Sequence, residues 1–130
     1  MGPIECALVL VGGFLGGVLR FGISGAVARA IGETFPWGTL VVNITGAFVI
    51  GALVAMIPLA GGVLASAGFR DFVIVGILGG YTTVSSFALQ SLNLALSGEA
   101  FRASLNVVLS TFLGPAFVAA GFWVAGRLSA

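Results

Sequence analysis

Histidine is absent from this chain, and charge of either sign is scarce: Lys and Arg together number 5 and Asp and Glu 4 in 130 residues. Without imidazole there is no ready general base, and no Cys/His metal motif can be assembled. The lone cysteine, Cys6, excludes an internal disulfide. No nucleophile stands at a recognisable spacing from a base, so the chain does not read as an enzyme. A net charge of +1 and a pI near 8.0 leave no basic patch for nucleic acid. Charged residues make up 7% of the sequence, against about 25% in a soluble domain, so there is too little polar surface to wrap a core in water.

What is present is apolar. Hydrophobic residues reach 59% and the mean hydropathy is +1.23. Alternation with period two is missing and the apolar runs are long, so the fold expected is an all-α integral membrane protein rather than a barrel. The first run lacks a basic leading region and continues past signal-peptide length. Turn formers and charges divide residues 1–130 into one four-helix membrane domain, with helices expected near 5–30, 36–58, 70–96 and 101–127. Pro36-Trp37-Gly38 suits a helix start at a membrane interface. Pro58, Arg70-Asp71 and Ser97-Gly98-Glu99 mark the other boundaries. Each span is about 20–26 residues, enough to cross a ~30 Å core.

The arginines do not choose a side. With both termini on one side, that side carries Arg70 and Arg127; the other carries Arg29 and Arg102, joined by Arg20 if it snorkels. Orientation follows a Lys/Arg excess, and here there is hardly any. Both orientations should therefore insert, and oppositely inserted copies can pair as an antiparallel, dual-topology homodimer with an isologous interface. The alternative is an orientation fixed by a partner or by weaker cues.

The third span contains Gly79-Gly80-Tyr81-Thr82-Thr83-Val84-Ser85-Ser86-Phe87. Glycines and hydroxyl residues are poor material for an unbroken helix in lipid. Irregular backbone at that depth is tolerated only inside protein or along a polar cavity. The third helix is therefore expected to break near the bilayer midplane, baring carbonyls and half-helix ends of the kind that build ion sites. The first span carries Gly12, Gly13, Gly16 and Gly17, two overlapping GxxxG spacings that suit close helix packing; no GK[ST] follows, which excludes a phosphate loop. Thr39, Asn43 and Thr45 interrupt the second span, Asn43 serving either an interhelical hydrogen bond or an ion path. Asn106, Ser110 and Gly114, with Thr111, form a polar stripe on the fourth, leading to Pro115. Glu5, Glu33, Asp71 and Glu99 all map near helix ends. An ion path would thus be lined by amides, hydroxyls, backbone and ring edges, and a proton-coupled carboxylate is missing.

These residues resemble the small four-helix fluoride channels of the CrcB/Fluc type over essentially the whole chain. The resemblance rests on GGxxGGxxR ending at Arg20, on WGTLVVNITGAFVIG from Trp37 to Gly51 and on GILGGYTTVSSF from Gly76 to Phe87; the fourth span fits more loosely. It implies a passive, fluoride-selective channel in the bacterial inner membrane. Fluoride that entered as neutral HF would leave through it. It implies an antiparallel homodimer in lipid, with a structural sodium ion at its centre held by the backbone carbonyls of Gly79 and Thr82 from both copies. Asn43, Phe87 and Ser110 are the residues carried over to the fluoride path, with Thr83 and Ser86 adding hydroxyls, Thr39 and Asn106 adjoining, and Arg20 at a vestibule. Val84 stands where the family pattern has the first of two phenylalanines, Asn106 where tyrosine is frequent, and Gly114 where some members have serine. Two other functions fit a four-helix membrane protein. A small drug/proton exchanger needs an embedded carboxylate. A non-transporting assembly subunit needs only glycine packing and polar interhelical contacts.

Overall fold

The computed structural model describes residues 2–129, and each regular element in them is helical. Helix α1 is Pro3–Ile31 and α2 is Trp37–Ala60. A short turn, Gly62–Ala65, leads to α3 (residues 67–81), followed by α4 (Ser85–Leu96) and α5 (Ala100–Ser129). Four stretches are long and apolar enough to cross a membrane: Pro3–Ile31, Trp37–Ala60, Ala67–Leu96 and Ala100–Leu128.

Local chemistry sets the boundaries. Pro3 opens α1, where its missing N–H costs nothing, and Gly32, at φ 98°, closes it by donating to the Ala28 carbonyl. Before α2 the Phe35 and Trp37 rings meet at 4.7 Å. The second helix passes Pro58 and runs on to Ala60, because proline forfeits only its own donor, and Gly61 still donates to the Ile57 carbonyl. The third span starts at residue 67 rather than 70. Ser66 Oγ accepts from the Phe69 N–H and so caps a turn that its Ala-Gly composition disguises as loop.

Two glycine seams hold the bundle. In the first, Gly12 and Gly16 turn bare backbone to the carbonyls of Phe72 and Ile77, while a Cβ on Gly76 would lie 2.9 Å from Gly12 Cα and one on Gly80 2.5 Å from the Gly13 carbonyl. Against this seam Arg70–Leu78 winds as a π-helix, a rare, wider form. In the second seam, Gly51 faces the Val118 carbonyl and Gly121 the Phe48 carbonyl, closing α2 on α5 backbone to backbone. The two GxxxG spacings on α1 differ: Gly12 and Gly16 turn their Cβ positions to α3, whereas a Cβ on Gly13 or Gly17 would meet nothing within 4 Å, although the Gly13 backbone lies against Gly80. Large apolar side chains such as Leu10, Phe14, Phe21, Phe112 and Trp123 are exposed on the outside of the bundle.

Candidate functional site

Between α3 and α4, residues 82–84 leave the helical path, with Thr82 extended at φ −82°, ψ 157°. The backbone there is satisfied by side chains. Thr83 N–H donates to Asn43 Oδ1 and Asn43 Nδ2 donates to the Thr83 carbonyl, both at 2.8 Å. One carboxamide thus pairs with both backbone groups of a residue 40 positions away. One step on, Ser86 N–H donates to Thr83 Oγ1 at 3.1 Å, the i to i+3 geometry of an N-cap. Thr83 Oγ1 also lies 3.1 Å from Ser85 Oγ.

These contacts have a consequence for two carbonyls. In an α-helix the Thr83 N–H would close on Gly79 and the Ser86 N–H on Thr82. Both donors are committed elsewhere, to Asn43 and to the Thr83 hydroxyl. The carbonyls of Gly79 and Thr82 therefore lose their usual helical partners, one to the Asn43 carboxamide of α2 and one to the Thr83 hydroxyl.

A cavity of about 600 Å³ opens beside these carbonyls, lined by Asn43, Gly79, Thr82, Thr83, Val84 and Phe87 together with Ser110, Thr111 and Gly114 of α5. A second, of about 660 Å³, is lined by Gly13, Gly17, Arg20, Ser24, Thr39, Thr83, Ser86 and Gln90. Thr83 lies on both walls. A third, of about 680 Å³, adjoins the second through Phe21, Ser24, Thr39 and Gln90 and includes Arg29, Glu33, Trp37 and Asn93. The expected site residues thus divide. Asn43, Phe87 and Ser110 share one cavity with Gly79 and Thr82; Thr39, Ser86 and Arg20 share the next; Thr83 joins them.

Asn106 lines none of these cavities. It is 2% exposed, and its Nδ2 donates to Ser91 Oγ at 2.8 Å, tying α5 to α4. Thr39 and Asn43, four apart on α2, open into different cavities. Sequence reasoning overlooked Gln90, which lines the same cavity as Thr83 and Ser86; among the described residues its Oε1 is a buried oxygen without a hydrogen-bond partner. A lone amide in an apolar stretch was the available signal. Tyr81, whose hydroxyl lies 2.9 Å from Thr45 Oγ1, was also overlooked.

The walls of the first two cavities carry no carboxylate, and the second carries the Arg20 guanidinium. Opposite charges are held elsewhere, as in Arg102–Glu99 at 2.9 Å and Arg70–Asp71 at 3.7 Å. Among the described residues no group of three or more His, Cys, Asp or Glu side chains is assembled. Neutral donors beside one positive charge make a surface suited to a small anion, while carbonyl oxygens suit a hard cation.

A family model described as "CrcB-like protein, Camphor Resistance (CrcB)" matches residues 7–122. The chain is similar to the fluoride-specific ion channel FluC 4 of Brucella abortus biovar 1 (strain 9-941), at 58% identity over 115 residues, covering 88% of this chain and 86% of the relative. It is also similar to FluC 2 of Bradyrhizobium diazoefficiens, at 51% identity over 92% of this chain and 88% of that one. FluC of Rhodospirillum rubrum is 48% identical over 89% of this chain and 87% of its own length.

Proposed function

Since the chain belongs to the CrcB-like family, we propose that it is a passive, fluoride-selective ion channel that lets fluoride out of the cell and so confers fluoride resistance. Its work is conduction rather than catalysis. The observation that carries the reading is the polar seam from Arg20 to Ser110, where neutral donors line two cavities that meet at Thr83. An anion drawn by Arg20 would pass the hydroxyls of Thr39 and Ser86 to Thr83. Beyond Thr83 it would meet the Asn43 amide, the Phe87 ring and the Ser110 hydroxyl. An amide nitrogen has two hydrogens, and Asn43 commits one to the Thr83 carbonyl, leaving the other for an ion. The positive edge of a phenyl ring can stand in for lost water. Conduction needs such binding to be strong enough to strip hydration and weak enough to release it.

Further features belong to the same proposal. Residues 82–84 are read as the break of the third membrane helix near the midplane. The working unit is read as an antiparallel, dual-topology homodimer, multi-pass in a bacterial inner membrane. The near balance of arginines between the two ends supports this reading. A structural sodium ion at the dimer centre is compatible with the residues present. The Gly79 and Thr82 carbonyls have lost their helical donors, and hard cations take oxygen ligands. Those two carbonyls of each copy would hold it, and it would supply fixed positive charge between the copies. No carboxylate lies on the walls of the two cavities, which leaves a proton-coupled exchanger without its essential group.

Fluoride efflux from proteoliposomes tests the reading. Wild-type protein should release fluoride well above empty vesicles, and Asn43→Leu, which removes both ties to Thr83, should lower the flux by roughly tenfold or more. Wild-type flux no greater than that of empty vesicles would overturn the assignment.

A further inference from the structure

Tyr81 is the last helical residue before the break, and the residue is 8% exposed. Its hydroxyl lies 2.9 Å from Thr45 Oγ1. Thr45 Oγ1 also reaches the Val41 carbonyl at 2.7 Å and the Val42 carbonyl at 3.1 Å. A hydroxyl has one hydrogen to give. Thr45 gives its own to carbonyls of its own helix, so at the shared contact Thr45 accepts and Tyr81 donates. The chain of bonds therefore runs one way, from Tyr81 through Thr45 into the backbone of α2.

The next residue of α2 completes the seat. Gly46 leaves room for the Tyr81 ring and the Thr82 methyl: a Cβ there would lie 3.2 Å from Tyr81 Cδ2 and would collide with Thr82 Cγ2. Helix α2 thus grips the break at two points. Asn43 holds the backbone of Thr83, and Thr45 with Gly46 holds Tyr81 and the methyl of Thr82. Neither Tyr81 nor Thr45 lines any of the three cavities, so neither would touch a passing ion.

We propose that Tyr81 and Thr45 are positioning residues for conduction: the Tyr81 ring, seated at Gly46 with its hydroxyl satisfied by Thr45, fixes the rotation of α3 at the break, and with it the direction of the Gly79 and Thr82 carbonyls and the placement of Thr83 on both cavity walls. The inference rests on the channel reading above. It makes the two ends of one hydrogen bond unequal. Tyr81→Phe removes a donor and leaves Thr45 satisfied by Val41. Thr45→Val strands a half-buried phenol hydrogen, and the ring must turn to find an acceptor, dragging residues 82–83 with it.

Unitary fluoride current in planar bilayers separates positioning from folding, because it counts ions per open channel and not the number of intact channels. Thr45→Val should lower the unitary current about fivefold to tenfold, the equivalent of one stranded, half-buried hydroxyl, and Tyr81→Phe by no more than about twofold. The double variant should recover to within about threefold of wild type, since both partners are then gone together. Thr45→Ser, which keeps the acceptor, should conduct as wild type. Wild-type unitary current in Thr45→Val with fewer active channels would overturn the proposal, as would a double variant no better than Thr45→Val. Should Thr45→Val fail to assemble, Tyr81→Leu decides: a lowered unitary current supports the positioning role and an unchanged one refutes it. Wild-type protein carrying no fluoride current would bring down the channel reading and this inference together, whereas a conducting wild type with unaltered variants sinks this inference alone.

Discussion

Before residues 82–84, α3 buries Asp71, Gly76, Leu78 and Tyr81; after them, α4 buries no residue at all. The first half lies on the glycines of α1 backbone to backbone and is anchored to α2 through Tyr81. The second half turns Ser86 and Gln90 to a cavity and is tied to α5 by the Asn106–Ser91 bond. One half is fitted without slack, and the other lines open space. A membrane helix cannot leave irregular backbone facing lipid, so the passage from one regime to the other needs protein around it. Asn43 and the Thr83 hydroxyl supply the hydrogen bonds at that junction. The difference teaches that precision at residues 82–84 is built upstream of them, where small residues permit contact, while the polar surface is left downstream.

The most severe way to break the comparison is at the upstream seam. A methyl on Gly16 would be driven into the Ile77 carbonyl, and backbone cannot move aside as a side chain can. Gly16→Ala should therefore cost about 3 kcal/mol or more and abolish a single, monodisperse species in gel filtration after detergent extraction. Gly17→Ala, one position along the same helix, meets nothing within 4 Å and should behave as wild type. Equal behaviour of the two variants would mean that the seam does not carry the upstream half.

How much of this was readable beforehand differs by kind of residue. The four spans follow from Pro36-Trp37, Arg70-Asp71 and Ser97-Gly98-Glu99, because hydropathy and turn formers act locally. Asn43, Phe87 and Ser110 come from three different spans, and it is the packing that gathers them in one cavity. Asn106 was legible as an intramembrane amide but not as a tie, because its partner Ser91 lies on α4 and only packing brings them together. The π-winding of Arg70–Leu78 has no sequence period of its own. It is seen only with the Gly12 and Gly16 faces against which the Phe72 and Ile77 carbonyls lie. The Tyr81–Thr45 bond is hidden for a similar reason: a phenol in an apolar span is read as packing until its acceptor is in place.

Downstream, effects should be smaller because space is available. Val84 is 78% exposed and lines the cavity with Phe87. Val84→Phe should leave the yield of folded protein unchanged. By adding a second ring edge to the wall it should raise fluoride flux in proteoliposomes by about threefold. A fall in flux at normal yield would show that the wall at position 84 is already filled and that openness does not distinguish the downstream half.

The smallest effect is expected at Gln90, and it sharpens the comparison most. Its Oε1 is buried without a donor, a cost that the tightly fitted upstream half does not show among the described residues. An oxygen in that state lowers stability relative to an apolar atom of the same size. Gln90→Met keeps the length of the side chain and removes the oxygen, so thermal unfolding in detergent should shift upward by a few degrees, corresponding to about 1 kcal/mol. A downward shift would mean that a donor from outside this chain completes Gln90 in the assembled protein. The downstream half would then be unfinished in one copy by construction, and its open cavities would be half of a surface that a second copy closes.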